Sequence, residues 1–151
     1  MATILEQVKN LEKLNETEIT KQLFLAIKKA EDKFIEFNKS QLGSGENIFG
    51  SIVGLYAEST QSYADRDGIS NKKPVGEPYY FDWFGDFYKG FGLSVNGDEA
   101  TIFSTGIGSG DKANFLTSSN LFGLSDKNLD ILIKTEISPF INKFAREILK
   151  I

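Results

Sequence analysis

The 151-residue chain contains no histidine and no cysteine. Without histidine, the commonest general base at neutral pH and the commonest zinc ligand are missing. Without cysteine there is no thiolate nucleophile, no iron–sulfur cluster and no disulfide. Ser–His–Asp and Cys–His mechanisms are therefore excluded. Carboxylates, lysine, tyrosine or carboxylate-bound Mg²⁺ are what remains for catalysis. The chain also has no run of 18 apolar residues, so no membrane-spanning helix and no membrane partner are expected. Its first residues, Met1 to Gln7, lack a basic stretch followed by an apolar run, so no secretion signal is expected either. Basic residues are outnumbered, with 17 Lys and Arg against 21 Asp and Glu. The net charge of −4 and pI near 4.9 argue against a polyanionic partner, and no direct sequence-specific nucleic-acid binding is expected.

What the chain does have suits one domain, 1–151, able to bury a core of its own. Hydrophobic residues are 40% and charged residues 25% of the total, which argues against disorder. Thirteen of the fourteen glycines lie between Gly43 and Gly110. The expected organisation is therefore helical over 1–42, glycine- and aromatic-rich strands and loops over 43–120, and a C-terminal helix over 121–151. The middle also holds the negative excess, with nine acids against four bases over 43–110.

Ile4, Leu5, Val8, Leu11 and Leu14 recur at helical steps and predict a short amphipathic helix. Asn15 to Thr17 offer caps for a second one. Its stripe, Ile19, Leu23, Ile27, Ala30, Phe34 and Phe37, runs to about Leu42, where Gly43 to Gly45 stop it. Ser125 is a candidate N-cap for the last helix. Leu129, Leu132, Ile133, Ile137, Phe140, Ile141, Phe144 and Ile148 mark its apolar face. Pro139 interrupts it, predicting one kinked helix or two abutting ones.

In the middle, 48–56 reads as a short strand, while 58–78 and 105–120 read as long loops. Phe91 to Val95 and Ala100 to Ser104 alternate, and Asn96-Gly97 between them predicts a type I′ hairpin. The fold class expected is α+β, with N- and C-terminal amphipathic helices packed on a small antiparallel sheet with long loops.

No motif assembles a familiar site. Asp82 and Asp86, four residues apart, would share a helix face and could hold Mg²⁺ or act as acid and base; a helix start or solvated turn is the plainer account. Asp65 and Asp67 resemble the start of a calcium loop but lack its closing glutamate. Gly106-Ile107-Gly108-Ser109-Gly110 misses the spacing of dinucleotide loops and the Gly-Lys-Ser/Thr of P-loops, so it reads as a flexible hairpin loop. No catalytic residue, metal or cofactor is expected, and the chain reads as no enzyme.

The most unusual stretch is Tyr79 to Phe91, in which eight of thirteen residues are aromatic. A helix offers only part of its circumference to a core. Either this segment lies beneath the long loop, or Tyr79, Tyr80, Trp83, Phe84, Phe87 and Tyr88 form a contact surface for another protein. Sugar stacking on Trp83 is a weaker alternative, because no companion polar groups can be placed.

Two segments carry a resemblance. Phe81-Asp82-Trp83-Phe84-Gly85-Asp86-Phe87-Tyr88-Lys89-Gly90-Phe91 resembles the glycine–aromatic segment of small tail-completion and virion-morphogenesis proteins of tailed bacteriophages, with Phe84 where that family has threonine. Phe122-Gly123-Leu124-Ser125-Asp126 is similar to the Phe-Leu-Gly-Leu-Ser segment before their last helix, one residue shorter. The order of elements over about 76–150 agrees as well. The resemblance implies a structural virion protein, a head–tail connector, neck or tail-terminator subunit. It would act in a homo-oligomeric ring, contact other virion proteins, and be assembled in the host cytoplasm. A cytoplasmic protein-binding module, such as a phage-encoded host-factor binder, is the alternative. A Mg²⁺-dependent enzyme using Asp82, Asp86, Glu77 or Asp98 is a more distant one.

Overall fold

The structure is a computed structural model, and it describes residues 3–69, 73–82 and 85–151. The fold is α+β. Helices α1 (Ile4–Leu11), α2 (Glu16–Lys29), α3 (Glu31–Gly43) and α4 (Glu58–Arg66) come first. A single turn, α5 (Asp86–Lys89), leads into the hairpin β1 (Phe91–Asn96) and β2 (Glu99–Ser104). Then follow α6 (Gly110–Ser118), α7 (Asp126–Leu132), a π-helical turn (Ile133–Ile137) and α8 (Ser138–Leu149).

The helix starts are written in the sequence. Thr3 and Glu6 form a capping box on α1, Thr3 Oγ1 accepting from Glu6 N–H while the Glu6 carboxylate accepts from Thr3 N–H. Asn15 Oδ1 accepts from Glu18 N–H at 2.9 Å and caps α2. The long helix expected over 19–42 bends at Ala30 (φ −93°, ψ 12°) into α2 and α3. Ser125 stands at the expected N-cap of α7, but its hydroxyl makes no cap bond; its N–H instead donates to Gln41 Oε1 at 2.8 Å.

The hairpin is present with a shifted turn. Asn96 pairs with Glu99, so the two-residue loop is Gly97-Asp98, with Gly97 at φ 63°. Glycine at the first loop position is the pattern of a type II′ turn, so the expected Asn96-Gly97 centre is corrected by one residue. One hairpin face supplies buried Leu93 and Ile102. These pack with Ala26, Ala30 and Phe34 of α2–α3 and with Leu132 and Ile137, forming the main core between terminal helices and sheet. A second cluster, Leu42, Phe87, Leu116 and Leu121, lies beneath the aromatic segment and α6.

Three expectations fail in the middle of the chain. No strand forms over 48–56: there are only single bridges, Glu46 with Ile52 and Leu55 with Pro78. Asn47 turns the chain there, its Oδ1 accepting from Phe49 and Ser51 N–H. The supposed loop 58–78 contains α4, whose one buried residue is Ala64. The supposed loop 105–120 contains α6, held by Leu116. With one apolar anchor per helix, neither segment shows a helical period.

Candidate functional site

Two regions come forward. The first is the aromatic segment. Phe87 is buried, and Tyr79, Tyr80, Phe81, Tyr88 and Phe91 are half-buried. Trp83 and Phe84 lie outside the described residues. The rings pack on one another edge to face: Tyr56 with Tyr79 at 4.9 Å, Tyr56 with Tyr80 at 5.4 Å, and Phe87 with Phe91 at 5.1 Å. Tyr88 Oη donates to Tyr80 O at 2.6 Å, and Tyr80 N–H donates to Tyr56 Oη at 3.1 Å. Phe81 occupies the left-handed region at φ 56°, rare for a bulky side chain and costing on the order of 1–3 kcal/mol. Of these rings Tyr79, Phe81 and Phe87, together with Tyr56, wall a cavity.

That cavity, about 630 Å³, lies between α4, the aromatic segment and α6. Tyr56, Tyr79, Phe81, Phe87, Phe115 and Leu116 supply apolar lining; Thr60, Asp82, Asp86 and Lys112 supply polar groups. Asp82 and Asp86 therefore meet at one cavity, although not on one helix, because α5 begins only at Asp86. Lys73 is buried behind them, its ammonium 3.9 Å from the Tyr80 ring centre and donating to the Asp82 carbonyl oxygen. Burial pushes the Lys73 ammonium below the usual lysine range, partly offset by the Asp82 charge. Burial raises the Tyr56, Tyr80 and Tyr88 hydroxyls, and the Asp82 charge adds to the last two. Among the described residues, no three carboxylates gather to hold a metal ion. Glu77 and Asp98 are absent from this cavity's lining. Asp65 accepts from Gln61 Nε2 on α4, and Asp67 pairs with Arg66.

The glycine loop after β2 has a packing reason. A Cβ on Gly106 would lie 2.0 Å from the Asp86 carbonyl oxygen, and one on Gly90 would lie 2.5 Å from Gly106 N. Two glycines back to back let α5 close on the hairpin. Gly106 is thus closely packed against α5, and 106–110 leads from β2 into α6 instead of forming a hairpin loop.

The second region is α1. Its apolar stripe faces outward: Ile4 is 82% exposed, Leu5 66%, Leu11 55% and Val8 48%. The helix sits on α8 with Asn10 buried beneath it, and Asn10 Oδ1 accepts from Lys13 Nζ. Asn10 Nδ2 is buried with no acceptor among the described residues. The amphipathic period was legible in the sequence, but not which face would be covered, because that depends on what α8 offers. Among the described residues, no helix is long and apolar enough to cross a membrane.

Comparison with protein families, with characterised proteins and with solved structures finds no match for the chain.

Proposed function

We propose that the chain is a structural component that works by contact with other protein subunits in a larger assembly. One observation carries this reading: α1 is a capped, preformed helix that seats a polar residue against its own chain and turns four apolar side chains to solvent. A stripe of this kind marks an interaction surface. The cavity at the aromatic segment supplies no comparable argument for chemistry, since its carboxylates stand among lysines and rings packed edge to face.

The setting we favour is the virion of a tailed bacteriophage, as a head–tail connector, neck or tail-completion subunit. Its support is the resemblance of 81–91 and 122–126 to segments of that family. Light scattering during size-exclusion chromatography tests the contact reading. Wild type should show a mass that rises with concentration, and Leu5→Glu with Val8→Glu should return it to monomer with an unchanged far-UV circular dichroism spectrum. Mass spectrometry of purified particles tests the setting. A chain that is monomeric at every concentration and missing from particles would sink both.

A further inference from the structure

We propose that α1 is a detachable strap: it lifts off α8 as a unit while the rest of the fold stays closed. This goes beyond the assembly reading, since it holds for a single chain with no partner.

The seat of α1 is inside out. A surface helix ordinarily holds to its chain by taking its apolar face out of water. The covered residues of α1 are instead Gln7, half-buried, and Asn10, only 6% exposed. Ile4, Leu5, Val8 and Leu11 stay in solvent and gain nothing from the contact. Asn10 gains little. Its Oδ1 accepts from Lys13 Nζ, a bond within the same segment that survives undocking, while its Nδ2 meets no acceptor among the described residues. A buried donor left unmatched has given up its bond to water, and lifting α1 restores it.

No polar tie replaces the missing apolar one. Among the described residues, no hydrogen bond and no ion pair joins α1 to α8, the element it packs on. α1 also adds no side chain to either apolar cluster, whereas its neighbour α2 places Ala26, Leu23 and Ile27 at the main core. What keeps α1 helical is local: the Thr3–Glu6 capping box, and the turn in which Lys13 and Leu14 N–H donate to the Asn10 and Leu11 carbonyls. Eight residues fall short of the roughly 12–15 that an isolated helix needs in water, so a lifted α1 melts. The strap therefore has two states, a docked helix and a free arm, with the turn before Asn15 as its hinge.

Amide hydrogen exchange tests this, read residue by residue at a concentration where light scattering shows monomer. Amides from Val8 to Leu11 should exchange at least about a hundredfold faster than those from Leu23 to Ala26. Asn10→Leu gives the seat an apolar residue and removes the stranded donor, so it should slow α1 exchange about ten- to a hundredfold. Lys9→Leu puts the same side chain on the exposed side and should leave the rate within about twofold. Exchange in α1 as slow as in α2 overturns the strap, as does an Asn10→Leu effect no larger than that of Lys9→Leu. Failure here and failure of the assembly reading are distinguishable. Fast α1 exchange in a chain that never associates keeps the strap and removes the assembly; slow exchange in a chain that does associate has the opposite meaning.

Discussion

Asn38 has none of its surface exposed, and its amide group ties two distant parts of the chain together. Its Nδ2 donates to the Leu121 and Gly123 carbonyls at 2.9 and 2.7 Å. One turn along α3, Gln41 Nε2 donates to Asn47 O, while Gln41 Oε1 accepts from Ser125 N–H and Asn128 Nδ2. These two side chains hold the 121–125 segment that launches α7. Asn38→Ala strands the buried Leu121 carbonyl, leaves Gly123 O with only the longer bond from Gln41 Nε2, and should cost about 1–3 kcal/mol in urea unfolding. Tyrosine gives a pH signature. Folded-state values of Tyr56, Tyr80 and Tyr88 are raised above the ordinary tyrosine value near 10. Stability from keeping them neutral is complete below about pH 10 and is lost as pH rises beyond it toward the folded values. The melting temperature should fall steeply above that pH. Tyr88→Phe should soften the fall, while costing about 1 kcal/mol at neutral pH for the lost bond to Tyr80 O.

The C-terminal helix shows what an element can hide from its own periodicity. Leu132 and Ile137 are both buried, yet they are five residues apart, the spacing of one π turn. The Ile133–Ile137 turn stands immediately ahead of Pro139, which lacks an N–H donor and cannot follow an undisturbed α-helix. Leu129 and Ile133, placed on the buried stripe by their spacing, are 38% and 41% exposed. Leu132→Ala should therefore cost about 2–5 kcal/mol, and Leu129→Ala under about 1 kcal/mol, by chemical denaturation. The sequence made the proline break readable but not its remedy, since a π turn leaves no residue signature. The same reason applies to α4 and α6. Ala64 and Leu116 anchor them almost alone, and a period needs more than one apolar residue to show. The hairpin, by contrast, carries its alternation and turn glycine in consecutive residues, so it was legible to within one position. The aromatic site was half legible. Composition marked 79–91, but the direction of the rings depended on Tyr56 and Phe115, which lie far from it in sequence.

At the scale of the molecule, two apolar clusters share one ring. Phe91 packs against the main core and against the second cluster, with Phe87 and Phe122 at 5.1 and 5.8 Å. Phe91→Ala should cost about 3 kcal/mol and should uncouple near-UV from far-UV circular dichroism during unfolding. The main core also joins the two ends of the chain: Lys33 pairs with Glu136 across 103 residues, and Ala26 and Phe34 wait for Leu132 and Ile137. Order of synthesis gives that wait a duration. At ~5–20 residues per second, a ribosome takes roughly 5–20 s to make the intervening chain. Until the hairpin is made the apolar side of α2 and α3 has no native cover on the nascent chain, and that cover is completed only with Leu132 and Ile137. A trigger-type chaperone that shields short apolar helices should therefore raise the yield of folded protein. The gain should be largest when translation is slow.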